Sequence, residues 1–258
     1  MSIVCRLGYN EWQVRSRFLL LFLALQLAAQ TPVGVAYQCT PQDVEALGLN
    51  CSPEEPCPVF LELSSAEAAG KSLFVAGNLH TRDVTLSSIL LTSGDGGITW
   101  TEPAERLRSA SLEQIEFMDQ VTGWISGGMI DPLARDPFLL VTKDGGKSWN
   151  QKMLFDDTKY GTVAQFHFNS LNVGELVLDA SRGKATRQEL YGTMTGGDNW
   201  EIKQTSNVPL RIKDARPPNS SGLRLRADSA GGAYHLEKGG GRNWTGLATF
   251  KIRLADCR

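Results

Sequence analysis

Short runs in which polar and apolar residues alternate recur along the chain and predict β-strands. Residues 114–118, Gln-Ile-Glu-Phe-Met, alternate strictly, as a strand does when one of its faces is buried. Residues 122–128 and 138–141 supply two further strand-like stretches, separated by polar and glycine-containing turns. Beyond the N-terminal leader no long segment has helical periodicity, and only a short helix at residues 41–47 is expected. The pattern therefore predicts an all-β fold.

The same order of strands recurs four times, and each copy includes a glycine-rich turn followed directly by a tryptophan. We call these segments the first (93–100), second (142–149), third (193–200) and fourth (237–244) glycine–tryptophan turns. Their tryptophans are 44 to 51 residues apart. A fixed period of this size is typical of architectures built from one supersecondary unit per repeat. Four antiparallel strands per unit, repeated radially, predict a β-propeller.

The predicted propeller spans residues 58–258 and has about four, possibly five, four-stranded antiparallel blades. Its approximate repeats are 58–106, 107–156, 157–206 and 207–258. In the fourth repeat the first three strands are expected at residues 210–212, 223–227 and 232–236. Residues 250–254 are expected either to form the outer strand of this blade or to pair with the first blade and close the ring.

The residue types in the turns point to architecture rather than to chemistry. Glycine adopts a positive φ at no steric cost, an aspartate side chain accepts hydrogen bonds from nearby backbone N–H groups, and tryptophan buries a large apolar surface. The residues to which we assign these structural roles are Ser93, Asp95, Gly97, Thr99, Trp100, Thr142, Asp144, Gly146, Ser148, Trp149, Gly197, Trp200, Gly241 and Trp244.

The first two turns, Ser93-x-Asp-x-Gly-x-Thr-Trp100 and Thr142-x-Asp-x-Gly-x-Ser-Trp149, resemble the Asp-box, or BNR repeat. This motif occurs in sialidases, in sortilin-type receptors and in the photosystem II assembly/stability-factor family. The run Phe117-x5-Gly-Trp-Ile-Ser-Gly127 ahead of the second turn is most similar to the last of these. The resemblance covers roughly residues 58–250 and implies an Asp-box β-propeller. Propellers of that family usually have more blades, so an open, a dimeric and an unusually small ring are all compatible with four repeats.

The third and fourth turns depart from the motif, because Thr195 and Gly239 stand where the aspartate is expected. Their assignment therefore depends on the period of the repeat.

The first 36 residues predict a secretory signal peptide. Arg15 and Arg17 precede an apolar stretch, and small residues then offer cleavage points after Ala29 or after Ala36. The apolar core of roughly 12 residues is shorter than the ~20 needed to span a bilayer, which favours cleavage over a permanent anchor. We therefore expect an exported chain, periplasmic or extracellular, that is not inserted in a membrane after cleavage.

Four cysteines remain after the leader: Cys39, Cys51, Cys57 and Cys257. An even number in an exported chain predicts two disulfides. Three of the four lie in the N-terminal segment 37–57 and one is the penultimate residue, so at most one bridge can be local. The other must then join the two ends of the chain. The sequence leaves open which N-terminal cysteine bonds to Cys257.

The charge of the chain argues against nucleic-acid and anionic-membrane partners. Without residues 1–36, the 26 basic and 28 acidic residues become 23 and 27, a net charge of about −4. Phosphate backbones are bound by clustered positive charge, which such a balance does not favour.

The sequence predicts no catalytic, cofactor-binding or metal site. The Arg-Ile-Pro signature of sialidases is absent, and three tyrosines that could act as nucleophiles lack a distinctive glutamate context: Tyr160, Tyr191 and Tyr234. Three histidines that could converge on a metal fall in different repeats: His80, His167 and His235.

By elimination and by resemblance, we expect a non-enzymatic propeller that needs no cofactor and binds another protein or serves as an assembly scaffold. The alternative is a carbohydrate-binding or sialidase-like glycoside hydrolase propeller.

Overall fold

The computed structural model describes residues 31–130, 132–217, 220–253 and 256–257. Residues 1–30, which include most of the predicted signal peptide, lie outside this part of the chain. Within it, no helix combines the length and the apolar character that a membrane crossing requires. The fold is all-β apart from one short helix, and its main sheets are arranged as four blades.

The N-terminal segment contributes small elements that join the two ends of the chain. They are β1 (Val33–Ala36), α1 (Pro41–Ala46) and β2 (Cys57–Pro58). Helix α1 begins at a capping box, in which the Thr40 hydroxyl accepts the Asp43 N–H and the Asp43 carboxylate accepts the Thr40 N–H. Arg108 contacts the same carboxylate at 2.9 Å, which fixes the helix against the propeller.

The first two blades follow each other directly along the chain. The first contains β3 (Phe60–Ala69), β4 (Ser72–His80) and β5 (Thr85–Ser93), and the second contains β6 (Ala110–Phe117), β7 (Gly123–Met129), β8 (Arg135–Thr142) and β9 (Asn150–Met153). Consecutive strands pair antiparallel. The first blade is shorter than predicted, because a single bridge between Thr92 and Thr101 stands in place of its fourth strand.

The third blade has four antiparallel strands, and the fourth blade is completed by the N-terminus. The third contains β10 (Thr162–Phe168), β11 (Gly174–Asp179), β12 (Gln188–Thr193) and β13 (Glu201–Ser206). The fourth contains β14 (Leu223–Asp228), β15 (Ala233–Gly240) and β16 (Asn243–Arg253), with β1 as its outer strand. A last strand, β17 (Asp256–Cys257), pairs with β2.

The strand order of the fourth blade corrects the sequence prediction. Its innermost strand is β14, whereas residues 210–212 are not in a strand, so the blade begins one strand later than expected. The fourth glycine–tryptophan turn therefore connects the second strand to the third, whereas the other three turns follow the third strand. These two kinds of connection lie at opposite ends of a blade, so Gly241 and Trp244 are not equivalent to their predicted counterparts.

The outer strand of the fourth blade also differs from both alternatives left by the sequence. Residues 250–253 belong to β16, the third strand, and β1 pairs with it in parallel, placing Val33 opposite Phe250 and Val35 opposite Ile252. Val35 is only 2% exposed and lies in the core. The predicted leader boundary at residue 36 would assign this core strand to the signal peptide.

Two disulfides hold the chain ends together, and their presence confirms the prediction made from the cysteine count. Cys39 is bonded to Cys257, and Cys51 is bonded to Cys57. Because Cys57 and Cys257 are also opposite each other in the β2–β17 pair, the start of the first blade and the end of the fourth meet at one place.

The core is divided among the interfaces between neighbouring blades. Leu79 and Phe250 belong to the cluster between the first and fourth blades, Phe74 and Phe117 to that between the first and second, and Trp124 to that between the second and third. In the described part of the chain no comparable cluster joins the third blade to the fourth.

The connecting segment 207–222, of which the structure describes all but residues 218 and 219, leads from the third blade to the fourth. The Leu210 N–H donates to Oε1 of Gln188 at 2.7 Å, and the Ile212 N–H donates to Oε1 of Gln165 at 3.1 Å. Ile212 is itself buried. The described contacts thus attach this segment to the third blade by hydrogen bonds to two glutamine side chains.

Candidate functional site: the central channel

The aspartate of the first glycine–tryptophan turn is used by the turn itself. Asp95 accepts hydrogen bonds from the Ile98 and Thr99 N–H groups at 3.0 and 2.9 Å and from the Thr99 and Ser93 hydroxyls at 2.6 and 2.8 Å. These bonds, the Thr99 hydroxyl first among them, hold the pKa of Asp95 well below its usual value. The carboxylate therefore remains ionised, and its hydrogen bonds stabilise the turn.

The second turn repeats this arrangement closely. Asp144 accepts from the Ser148 hydroxyl at 2.6 Å, from the Ser148 and Lys147 N–H groups at 3.0 Å each, and from the Thr142 hydroxyl at 2.8 Å. The Ser148 hydroxyl and the other donors lower the pKa of Asp144 to about 2. Two turns with the same sequence pattern thus have the same hydrogen bonds.

The third turn keeps part of this network without the carboxylate. The Thr195 hydroxyl accepts the Asn199 N–H at 3.0 Å, and the Thr193 hydroxyl accepts the Gly197 N–H at 3.0 Å. A hydroxyl group offers one oxygen where a carboxylate offers two, so this turn has fewer bonds to hold it.

The tryptophans of the turns pack across blade interfaces as well as against their own strands. Trp100 of the first blade lies edge-on to Phe250 of the fourth, with ring centroids 4.9 Å apart. Trp149 of the second blade lies edge-on to Phe74 of the first, at 6.1 Å, and to Phe117 of its own blade, at 5.9 Å. The first and second turns therefore help to fix their blades to the neighbouring fourth and first blades.

The strongest candidate for a functional site is the central channel, a cavity of about 570 Å³. The inner strand of every blade contributes to its wall, and the segment 207–222 covers one side. Its lining combines aliphatic groups with charged and amide side chains, among them Glu67, Glu113, Glu116, Gln165, Arg211 and Arg216. Such a mixture of a few convergent polar groups within a concave surface is typical of binding sites.

Glu116 is the most unusual residue of this wall. Its side chain is 2% exposed, and its Oε1 lies 2.9 Å from Nδ1 of His167 and accepts the Phe168 N–H at 3.2 Å. Its Oε2 is buried and has no hydrogen-bond partner among the described residues. A buried carboxylate oxygen without a donor is costly to the fold, and because this oxygen is not exposed it is not a contact point for a ligand in the channel.

Glu67 of the first blade faces the same cavity and is 8% exposed. Burial raises the pKa of its carboxyl above the ordinary value, and the negative charge of Glu116 raises it further. The Ala68 N–H, which donates to its Oε1 at 2.9 Å, the positive charge of Arg216 and the Ser221 hydroxyl oppose this shift. The pKa of the Glu67 carboxyl therefore depends mainly on its burial in the channel wall and to a smaller extent on the charge of a glutamate from the neighbouring blade.

Two glutamine side chains connect neighbouring elements of the channel wall. The Gln114 amide donates to the Phe166 carbonyl at 2.9 Å and accepts the Phe166 N–H at 3.1 Å, which links β6 to β10. Gln165 accepts the Ile212 N–H and so attaches the segment 207–222.

The three histidines lie in separate places. His167 meets Glu116, His80 packs near the Phe60 ring, and His235 contacts the Thr249 hydroxyl at 3.0 Å. Across residues 31–130, 132–217, 220–253 and 256–257, no three His, Cys, Asp or Glu side chains are grouped so that they could hold a metal ion.

One tyrosine does have a glutamate partner, which the sequence analysis missed. The Tyr191 hydroxyl donates to Oε2 of Glu189 at 2.6 Å, and the same carboxylate meets Nζ of Lys159 and Nη2 of Arg187, each at 2.7 Å. Burial alone would raise the pKa of Glu189, but these three partners outweigh it and lower the pKa to about 2. The i, i+2 spacing of Glu189 and Tyr191 on one strand could have indicated this contact.

The pKa of Tyr191 is raised by burial and by its bond to Glu189, so its hydroxyl stays protonated and serves as a donor.

Comparison with known proteins gives only distant likenesses. No protein-family model matches the chain, and no curated protein matches it. Similar solved structures include YCF48 from Cyanidioschyzon merolae (20% identity, TM-score 0.40, covering 74% of this chain and 57% of that one) and YCF48 bound to D1 peptide (17%, 0.33, 72% and 66%). Another is the α-L-arabinofuranosidase Arb93A from Fusarium graminearum with an iminosugar inhibitor (15%, 0.35, 75% and 59%).

This chain therefore spans between 57% and 66% of the length of these structures. At such identities and TM-scores the likeness carries no argument about function, which has to come from the residues of this chain.

Proposed function

We propose that the protein is an exported, non-enzymatic β-propeller that binds a segment of another protein in its central channel. The observation that carries this proposal is the channel wall, in which the inner strands of four blades and the segment 207–222 present carboxylate, guanidinium and amide groups next to aliphatic side chains. A polypeptide offers the complementary set, because its backbone N–H and C=O groups and its charged side chains recur at short intervals.

The mixture of carboxylate, guanidinium and amide groups in the lining favours a ligand that brings both hydrogen-bond donors and acceptors. A polypeptide offers both along its backbone. The resemblance of the turns to the Asp-box supports the same reading, since the turn aspartates are used in holding the blades. Export is supported by the two disulfides, which are typical of oxidising compartments.

The second candidate function is carbohydrate binding or glycoside hydrolysis, and one observation favours it. Glu67 lines the channel with Glu116, and burial raises the pKa of its carboxyl above the ordinary value. Glycoside hydrolases commonly use two carboxyl groups, one of which has a raised pKa and acts as the acid.

One pair of assays separates the two candidates. The purified protein is used to capture partners from exported proteins, in parallel with Arg216→Glu in the channel and Arg242→Glu, an exposed arginine outside the channel lining, as the matched control. The proposal expects a protein partner that Arg216→Glu loses and the control retains. A panel of fluorogenic glycosides is tested alongside, and turnover that is abolished by Glu67→Gln would replace the binding proposal with the enzymatic one.

A further inference from the structure

A second cavity, of about 360 Å³, lies between two loops and shares no lining residue with the central channel. Loop 154–161 leads from the second blade into the third, and loop 180–187 connects β11 to β12 within the third blade. The cavity is lined by Thr158, Lys159, Tyr160, Arg182, Arg187 and Glu189, together with small alanines. Three of these side chains are cationic, and one is anionic.

Arg182 is held at this cavity by an aromatic ring. Its guanidinium carbon lies 4.9 Å from the centre of the Tyr160 ring, and in the described part of the chain Arg182 has no ion-pair partner. Stacking of this kind fixes the plane of a guanidinium while leaving its N–H groups at the edge available for a ligand. Tyr160 is itself 42% exposed, so the pair stands at the mouth of the cavity.

Lys159 and Arg187 are positioned by Glu189, which lies 2.7 Å from both cationic groups. One carboxylate occupies only part of their donor capacity, because an ammonium has three N–H donors and a guanidinium has five. Three cations against one carboxylate give the lining a net charge of +2.

The acidic residues in and beside the two loops, other than Glu189, are not among the residues that line this cavity. Asp179 accepts the Ser181 N–H at 3.0 Å and the Gln188 amide at 3.3 Å, whereas Asp156 and Asp157 line a neighbouring cavity that shares Thr158 and Lys159 with this one. The positive charge of the lining is therefore not cancelled within the cavity itself.

We infer that this cavity binds the phosphoryl group of a small, soluble phosphate monoester. A phosphate monoester carries a charge of about −1.5 to −2 at neutral pH and three acceptor oxygens, which match the charge and the donors of the lining. A ligand with a single carboxylate would neutralise only half of the +2 charge of the lining. Guanidinium groups bind such oxyanions in a bidentate manner, and the cavity has the size of a small-ligand site. The inference is independent of the function proposed for the channel.

The test is calorimetric titration of the intact protein with inorganic phosphate and, separately, with acetate. Arg182→Gln removes the cation that is not committed to Glu189, and Arg242→Gln, an exposed arginine of another blade, is the matched control. We expect saturable phosphate binding that is tighter than acetate binding, weakened about tenfold by Arg182→Gln and unchanged in the control. Both variants should retain the melting temperature of the wild type, because both side chains are exposed.

Three results would overturn the inference: no saturable phosphate binding, equal affinity for acetate and phosphate, or an affinity that Arg182→Gln leaves unchanged. Vesicles containing phosphatidic acid distinguish a lipid source from a soluble one. We expect no co-sedimentation with them, and co-sedimentation that depends on Arg182 would contradict the assignment to a soluble ester.

Discussion

The indole ring of Trp149 in the second blade lies edge-on to the phenyl ring of Phe74 in the first blade, with their centroids 6.1 Å apart. This contact makes a residue that follows a turn into part of the interface between two blades. Trp149→Ala should therefore lower the free energy of unfolding by about 3 kcal/mol, the cost of removing a packed aromatic side chain. Chemical denaturation with urea measures the change.

Trp244→Ala is the matched control, because Trp244 follows the fourth turn and its ring contacts the partly exposed guanidinium of Arg224, in its own blade, at 4.2 Å. It should destabilise the protein much less than Trp149→Ala. Equal effects of the two substitutions would mean that the second and fourth turns are structurally equivalent after all.

A single substitution can place an aspartate in the third turn, where the first and second turns have one. In Thr195→Asp the new carboxylate would have the Asn199 N–H and the Thr193 hydroxyl within reach, as Asp144 has their counterparts in the second turn. We expect a higher melting temperature for Thr195→Asp and a lower one for Asp144→Asn, both read by differential scanning calorimetry. A melting temperature that falls in both variants would show that the third turn has settled into a different geometry.

Glu189 makes the free energy of unfolding depend on pH in the acid range. Its pKa in the folded protein, about 2, lies below the ordinary value of 4.5, so the folded state favours the ionised form. The resulting stabilisation, on the order of 2 to 3 kcal/mol, is fully present above pH 4.5 and is lost as the pH falls toward 2.

Glu189→Gln tests this contribution, because it keeps the shape of the side chain and removes the charge. The stability difference between wild type and variant should shrink as the pH is lowered from 6 to about 3. A difference that stays constant over this range would show that Glu189 contributes through packing alone.

The strand β1 predicts where the folded domain must begin. Val35 is buried beside the fourth blade, and β1 is the outer strand of that blade. A chain that starts at residue 37 should be less stable than one that starts at residue 30, by at least about 2 kcal/mol for the loss of one buried valine and its strand. Equal unfolding midpoints for the two chains, with both disulfides formed, would contradict the role of β1.

Most of the blade architecture could be predicted from the sequence, because its signals are local. Alternation with a period of two marks the strands of the second blade, and the Asp95 and Asp144 turns have side-chain partners within four residues. The fourth blade was misassigned because its glycine-rich hairpin has the composition of the other turns although it connects different strands. β1 was not predicted, because its apolar and small residues are also typical of the end of a signal peptide.

The candidate sites could not be predicted in the same way. Glu67 and Glu116 come from different blades and line one channel only because the fold brings their strands together. Likewise, the contact of Arg182 with Tyr160 joins two loops that are separated along the chain by the β10–β11 hairpin. The Glu189–Tyr191 contact was within reach of sequence reasoning, since the two residues share one face of one strand.

Site-specific photo-cross-linking shows directly whether the central channel binds a polypeptide. A photoreactive amino acid replaces Ala164, an exposed residue of the channel wall, and in a control chain it replaces Gln204, an exposed residue of the outer strand β13. With the protein expressed in its native host, we expect a discrete cross-linked polypeptide for position 164 that is absent for position 204 and is lost when Arg216→Glu is added. Cross-linking that is equal at the two positions, or absent from position 164, would contradict polypeptide binding in the channel.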